Sequence, residues 1–266
     1  MDQRGVGTAA YRLRMGYTPD VRLAAGTEES WLLGAVFTPG ARLGTRLDDS
    51  TISVHVVEVA EVATVRIPSG RVIVDSPWPD AGDMQLRTPV GRELVERIPP
   101  GTYQVEAAWT EAPYEFMGEH FDGREVGAVR LRVLDELVAT WEMALGVDDD
   151  IDALSPGDRI GFNSETNTGS FADASAWEAL AAPFRRFWQG LQAGDSQPLA
   201  SESLCNGSFE RTIDEAIGAD LLTIPSEGTT VVWLGRTGAG TIASIVTAVA
   251  ESRHWCHERR MATGQL

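Results

Sequence analysis

RIPPGTYQVEAAWTE, residues 97–111, decides the fold. Pro99, Pro100 and Gly101 form a turn signal that opens directly into an alternating run. In that run Tyr103, Val105, Ala107 and Trp109 fall on one face, and Gln104, Glu106 and Ala108 on the other. Turn residues followed by period-two alternation predict a β-strand. The same arrangement occurs just upstream in RIPSGRVIVDSPWPD, residues 66–80. There Pro68, Ser69 and Gly70 lead into Val72, Ile73 and Val74, and the run stops at Asp75 before Pro77, Trp78 and Pro79.

Outward from this pair the β pattern continues. Ile52, Val54, Val56 and Val57 lead into Val59, Val62 and Val65. Downstream, residues 112–124 read as a long hairpin connection, with Tyr114, Phe116, Met117, His120 and Phe121 set among acidic residues. Val129, Leu131 and Val133 then alternate with Arg130 and Arg132 in a return strand. Two apolar runs around the turn at 236–240 read as a hairpin. Strands are thus expected near 52–65, 71–75, 102–109, 126–134, 229–235 and 241–248. A short strand or turn is expected to lead into 140–145, and a short strand at 158–162 to enter the loop NSETNTGSFAD, residues 163–173. Residues 81–96 read as a loop or short helix, 196–206 as a linker, and 209–217 as a short helix ended by Gly218.

One longer helix is expected. Asp173 suits an N-cap, and Trp177, Leu180, Ala181, Phe184, Trp188 and Leu191 recur at helical spacing. Pro183 is expected to kink or split it. The fold class is therefore α+β and β-rich, with mainly antiparallel sheets or a sandwich and a kinked amphipathic helix near 173–192. Residues 1–50 read as an N-terminal extension packed on the body, with Trp31, Leu32, Leu33, Ala35, Val36 and Phe37 as a buried strand. Residues 51–266 read as a single β-rich domain, and the acidic run at 148–152 is the one place for an internal boundary.

Composition excludes several chemistries. The chain has 266 residues, and all 22 of its basic residues are arginine. Without lysine there is no P-loop, no kinase strand lysine and no amine to form a Schiff base. With 39 acidic residues the net charge is −17, which repels nucleic-acid backbones and favours cationic partners, whether protein or small molecule. Two cysteines, no apolar leader and no run of membrane-spanning length predict a soluble, cytoplasmic protein. No nucleic acid, membrane or phosphate-bearing cofactor is expected.

The turns and strand ends also carry a resemblance. The pattern of Pro68, Ser69 and Gly70 with a strand ending at Asp75, then Pro100, Gly101 and Tyr103, then Trp141, Glu142 and Ala144, resembles the bacterial domain-of-unknown-function family 4241. Thr168, Gly169, Phe171 and Asp173 match a later loop of that family, although Glu165 and Asn167 replace its first Asp and Gly. Ser226, Gly228, Trp233, Gly235 and Gly240 match its C-terminal segment over a region of roughly 60–250. The resemblance implies a fold and no activity.

Four carboxylates are candidates for acid–base work if they converge: Asp75, Glu106, Glu165 and Asp173. Glu165 and Asp173, with the hydroxyls of Thr168 and Ser170, also form an oxygen set suited to a divalent cation. His254 and His257, flanking Cys256, offer two ligands where a structural zinc takes four. Trp78, Trp109 and Trp233, each at a strand end or beside a turn, are candidates for a binding surface. The leading expectation is an acidic accessory or immunity-like binding protein. The alternative is a small-molecule enzyme of bacterial specialised metabolism that works through carboxylates, with or without a cation.

Overall fold

In a computed structural model, which describes residues 17–47, 50–79, 89–155, 157–195, 197–248 and 255–256, the deciding stretch becomes β5 (Gly101–Glu111). It lies between β2 (Ser50–Ile67) and β8 (Arg124–Arg132), antiparallel to both. These three join β1 (Arg42–Leu47), β9 (Thr140–Met143), β10 (Gly161–Ser164), β15 (Gly228–Arg236), β16 (Ile242–Ala248) and β17 (Trp255–Cys256). The order of this nine-stranded sheet is β10-β15-β16-β8-β5-β2-β1-β17, with β9 pairing β15.

A second, six-stranded sheet comprises β3 (Arg71–Val74), β4 (Glu93–Arg97), β11 (Thr168–Asp173), β12 (Glu202–Leu204), β13 (Phe209–Asp214) and β14 (Ala219–Pro225). Its order is β12-β13-β14-β11-β3-β4. A separate ribbon, β6 (Tyr114–Phe116) and β7 (Glu119–Phe121), extends the connection between β5 and β8. Every recorded strand pairing is antiparallel, as the alternating patterns require. All six strands expected near 52–65, 71–75, 102–109, 126–134, 229–235 and 241–248 are present.

The two sheets face each other. Val65, Ile67, Val105, Leu131, Val232 and Ile245 of the larger sheet pack against Val72, Val74, Phe171, Leu222 and Ile224 of the smaller. The alternate residues of the smaller sheet, Ile73, Ala172 and Leu221, point the other way. There they meet Trp177, Leu180, Ala181 and Phe184 of α2 (Trp177–Gln192). Pro183 lies inside α2 without splitting it. An interior proline costs about 3 kcal/mol, whereas each large apolar side chain buried is worth about 1.5–3 kcal/mol. The three large residues anchored on either side of Pro183 outweigh it.

Four local readings are corrected. The apolar cluster at 31–37 is not a strand: Thr27–Ala35 is a helix, α1, begun by the Glu29 carboxylate accepting from the Gly26 N–H at 2.5 Å. It covers the outer face of the larger sheet, where Leu32 and Val36 pack with Val54 and Val56, and Leu33 with Trp141 and Trp233. Residues 209–217 are not a helix. Phe209 and Thr212, three apart, are both buried because β13 is covered on both faces, Phe209 by the inter-sheet core and Thr212 by α2, whose Leu180 carbonyl accepts its Oγ1–H at 2.8 Å. The loop at 163–173 is a tight turn between β10 and β11 with Asn167 at φ 53°. Part of the stretch at 81–96 forms β4.

Candidate functional site

Asp75 leaves the end of β3 with its carboxylate tied to backbone. One oxygen accepts from Ser76 N–H at 2.7 Å and the other from Arg92 N–H at 2.7 Å. Its carbonyl accepts from Ser170 Oγ–H of β11 at 2.8 Å. Burial pushes the Asp75 carboxyl above its ordinary range, opposed by those two N–H groups and the Arg92 charge. The Arg92 guanidinium is itself committed elsewhere, donating to Ala144 O at 2.6 Å and Asp149 Oδ2 at 2.5 Å.

The turn between β10 and β11 brings Glu165 to the same place. Asp75, Ser76, Trp78, Asn163, Glu165 and Thr166, with Pro79 and Pro89, line one cavity of about 180 Å³. Among the described residues no basic side chain lines it. Trp78 is held by α2, its ring edge-on to Phe184 at 5.0 Å, Phe187 at 5.7 Å and Trp188 at 6.3 Å. The same Trp78 lines a neighbouring cavity of about 170 Å³ that also touches Asn167, Ser208 and Glu210. On the other side Asp75 and Pro89 border a third, of about 280 Å³, with Arg92, Glu93, Asp148 and Asp149. The three form a chain of depressions joined at Trp78 and Asp75.

Two of the four candidate carboxylates therefore share a cavity and two do not. Glu106 lies on the outer face of the larger sheet, where it accepts from Arg130 Nη2 at 2.6 Å and Arg132 Nη1 at 3.2 Å. Asp173 has no exposed surface. One of its oxygens accepts from Ser175 N–H at 2.7 Å and Ser175 Oγ–H at 2.5 Å, which is the expected cap, made on a short 3-10 turn leading into α2. The other accepts from Ser69 N–H and Ser69 Oγ–H, each at 2.8 Å, and so clamps the turn between β2 and β3. With four donors around it Asp173 is an organising residue of the fold.

The tryptophans also separate. Trp109 is half-buried beneath the Arg124 guanidinium, 5.4 Å from its ring, and Trp233 has no exposed surface at all. Trp78 is the one of the three that lines the cavity of Asp75 and Glu165. His254 and His257 lie outside the described residues, and Cys256 is placed only by its backbone pairing with β1. Among the described residues no group of three or more His, Cys, Asp or Glu is arranged to hold a metal ion. No helix among them is long and apolar enough to cross a membrane.

Sequence reasoning passed over one buried cluster. Arg236, at the end of β15, donates to Glu142 Oε1 at 2.5 Å, Glu96 Oε1 at 2.6 Å and Gly240 O at 3.0 Å. Tyr17 donates its O–H to Glu142 Oε2 at 2.6 Å and lays its ring 4.7 Å from the guanidinium carbon. Arg236 and Glu142 are 7% and 3% exposed, which makes this an enclosed ion pair rather than a surface one. The only hint in the sequence was Glu142, through the motif it shares with Trp141.

Comparison with known proteins adds a family and no activity. The family described as a protein of unknown function, DUF4241, matches residues 65–247. No curated protein and no solved structure matches the chain.

Proposed function

The chain belongs to the DUF4241 family, and from that premise we propose that it is a binding protein that takes a cationic group into the cavity of Asp75, Glu165 and Trp78. The group is a guanidinium or ammonium, carried by a small ligand or by an arginine or lysine side chain of a partner. One observation carries the reading: a carboxyl raised by burial and a second carboxylate line the same cavity, and among the described residues no basic side chain joins them. An entering cation offsets the cost of ionising Asp75 in a desolvated place. Trp78 offers its ring to the same charge. Size supports a side-chain-sized guest, since about 180 Å³ falls short of the roughly 300–1,000 Å³ of pockets that enclose a whole drug-sized ligand. An accessory, immunity-like role in a bacterial cytoplasm, met by a basic partner, fits this reading and the net charge of −17.

The test is calorimetric titration with L-arginine amide against the neutral isostere L-citrulline amide. Arginine amide should bind, citrulline amide should not, and Glu165→Gln should weaken binding at least tenfold while Glu136→Gln, at an exposed position away from the cavity, leaves it unchanged. Equal heats from the two amides, or none from either, would sink the proposal. The same raised Asp75 carboxyl supports a second reading, an enzyme in which Asp75 donates a proton and Glu165 accepts one. It is separated from the first by Asp75→Asn, which abolishes turnover in an enzyme but only weakens binding in a receptor.

A further inference from the structure

We propose that the β6–β7 ribbon is a docking arm for a basic, apolar surface on another protein, independently of the Asp75 cavity. All six of its strand residues are exposed. The register pairs Tyr114 with Phe121 and Phe116 with Glu119, which puts Tyr114, Phe116 and Phe121 on one face, while Glu115 and His120 pair on the other. Tyr114 and Phe121 stack at 5.2 Å, and Phe116 remains 59% exposed. Met117 at the tip is 90% exposed and holds φ 52°, beside Gly118 at φ 81°. A two-residue turn with both φ values positive favours Asn, Asp or Gly at its first position. A methionine there gains nothing within this chain. An isolated two-stranded ribbon is at best marginally stable in water, and a contiguous exposed apolar face on one marks an interaction site.

Charge selects the occupant. Residues 112–123 contain Glu115, Glu119 and Asp122 and no arginine. Such an arm repels anionic lipid, nucleic acid and a second copy of itself, since the whole chain carries −17. It matches an apolar patch rimmed by Lys or Arg, with the aromatic face and Met117 as the contact.

The probe is a labelled amphipathic leucine–lysine helical peptide, read by fluorescence anisotropy with the full chain, and a leucine–glutamate peptide of the same length is the control. The first should bind and the second should not. The double variant Phe116→Ser, Met117→Ser changes no charge and touches only exposed side chains, so it should keep the melting temperature and weaken binding at least tenfold. Glu165→Gln should leave arm binding unchanged, which keeps this test separate from that of the cavity. Undiminished binding by the double variant, or no binding by the parent chain, overturns the proposal. So does dimerisation in sedimentation, or uptake onto phosphatidylcholine or phosphatidylglycerol vesicles, if the double variant abolishes either one.

Discussion

Asp173→Asn is the most informative single change. A cap made only to Ser175 tolerates Asn, because an amide oxygen accepts as well as a carboxylate. Here both oxygens are occupied, one by Ser175 and one by Ser69. The amide –NH2 must therefore face a backbone N–H, leaving buried donors opposed, at a cost of about 1–3 kcal/mol. Asp173→Asn should melt several degrees below the parent chain, close to Asp173→Ala, with or without chelator. An Asn variant within a degree of the parent contradicts this. The cap was legible in the sequence because it is local, whereas the clamp joins residues 104 positions apart, and no spacing rule reports that. Tyr17 gives a second expectation at this scale. Burial, then its hydrogen bond to Glu142, push its phenol up to about 12 from an ordinary 10.0. A folded-state value above the unfolded one means the neutral phenol stabilises the fold below pH 10.0, and this contribution is lost as pH rises toward about 12. Burial raises the Tyr103 phenol as well, so an ultraviolet titration should show late tyrosine ionisation, of which Tyr17→Phe removes one tyrosine's share together with part of the alkaline loss of stability.

At the level of elements, legibility followed how many faces an element buries. Strand β5 shows an alternating pattern because only its inner face meets the sandwich core along most of its length, and its sequence alternates accordingly. Strand β14 is buried at six consecutive positions, Ala219 to Ile224, between the inter-sheet core and α2, and two of the six are the polar Asp220 and Thr223, so its sequence gives no period to read. In α1 the adjacent Trp31, Leu32 and Leu33 hide a helix for the same reason, since Leu32 and Leu33 enter two different clusters. Gly169 looked like a loop glycine, yet it lies inside β11 where a Cβ would come 2.4 Å from the Phe162 ring. The Arg236 cluster ties β4, β9, β15 and the segment of Tyr17 together. Arg236→Met should cost about 3–5 kcal/mol, because Glu142 is left charged and buried without its partner. Adding Glu142→Met should recover part of that loss. Denaturant titration checks both, and a single-variant loss inside the roughly 0–1 kcal/mol of a surface pair would mean the site is wet.

For the molecule as a whole, the motifs that carry the family resemblance prove to be joints, one between the two sheets and the others between neighbouring strands of the larger sheet. Ser69 meets Asp173, Trp141 lies over Gly235 where a Cβ would come 2.8 Å from its ring, and Glu142 meets Arg236. Such joints also decide whether the acidic run at 148–152 divides the chain. Strand β9, before the run, pairs with β15 after it, and β8 pairs with β16. Strand β3, also before the run, lies beside β11. Each sheet therefore takes strands from both sides of the run. A fragment of residues 1–148 lacks β11 and β13–β16, and one of 149–266 lacks β2, β3, β5 and β8. Either one leaves apolar faces of both sheets uncovered, and no smaller core replaces them. Expressed alone, each fragment should be insoluble or melt without cooperativity. Expressed together, they should form a 1:1 complex that melts cooperatively, because the strand pairings across the run can form between the two pieces. A cooperative melt from 149–266 alone would show that the second half holds a core of its own, and that the strand pairings across the run are additions to it rather than its condition.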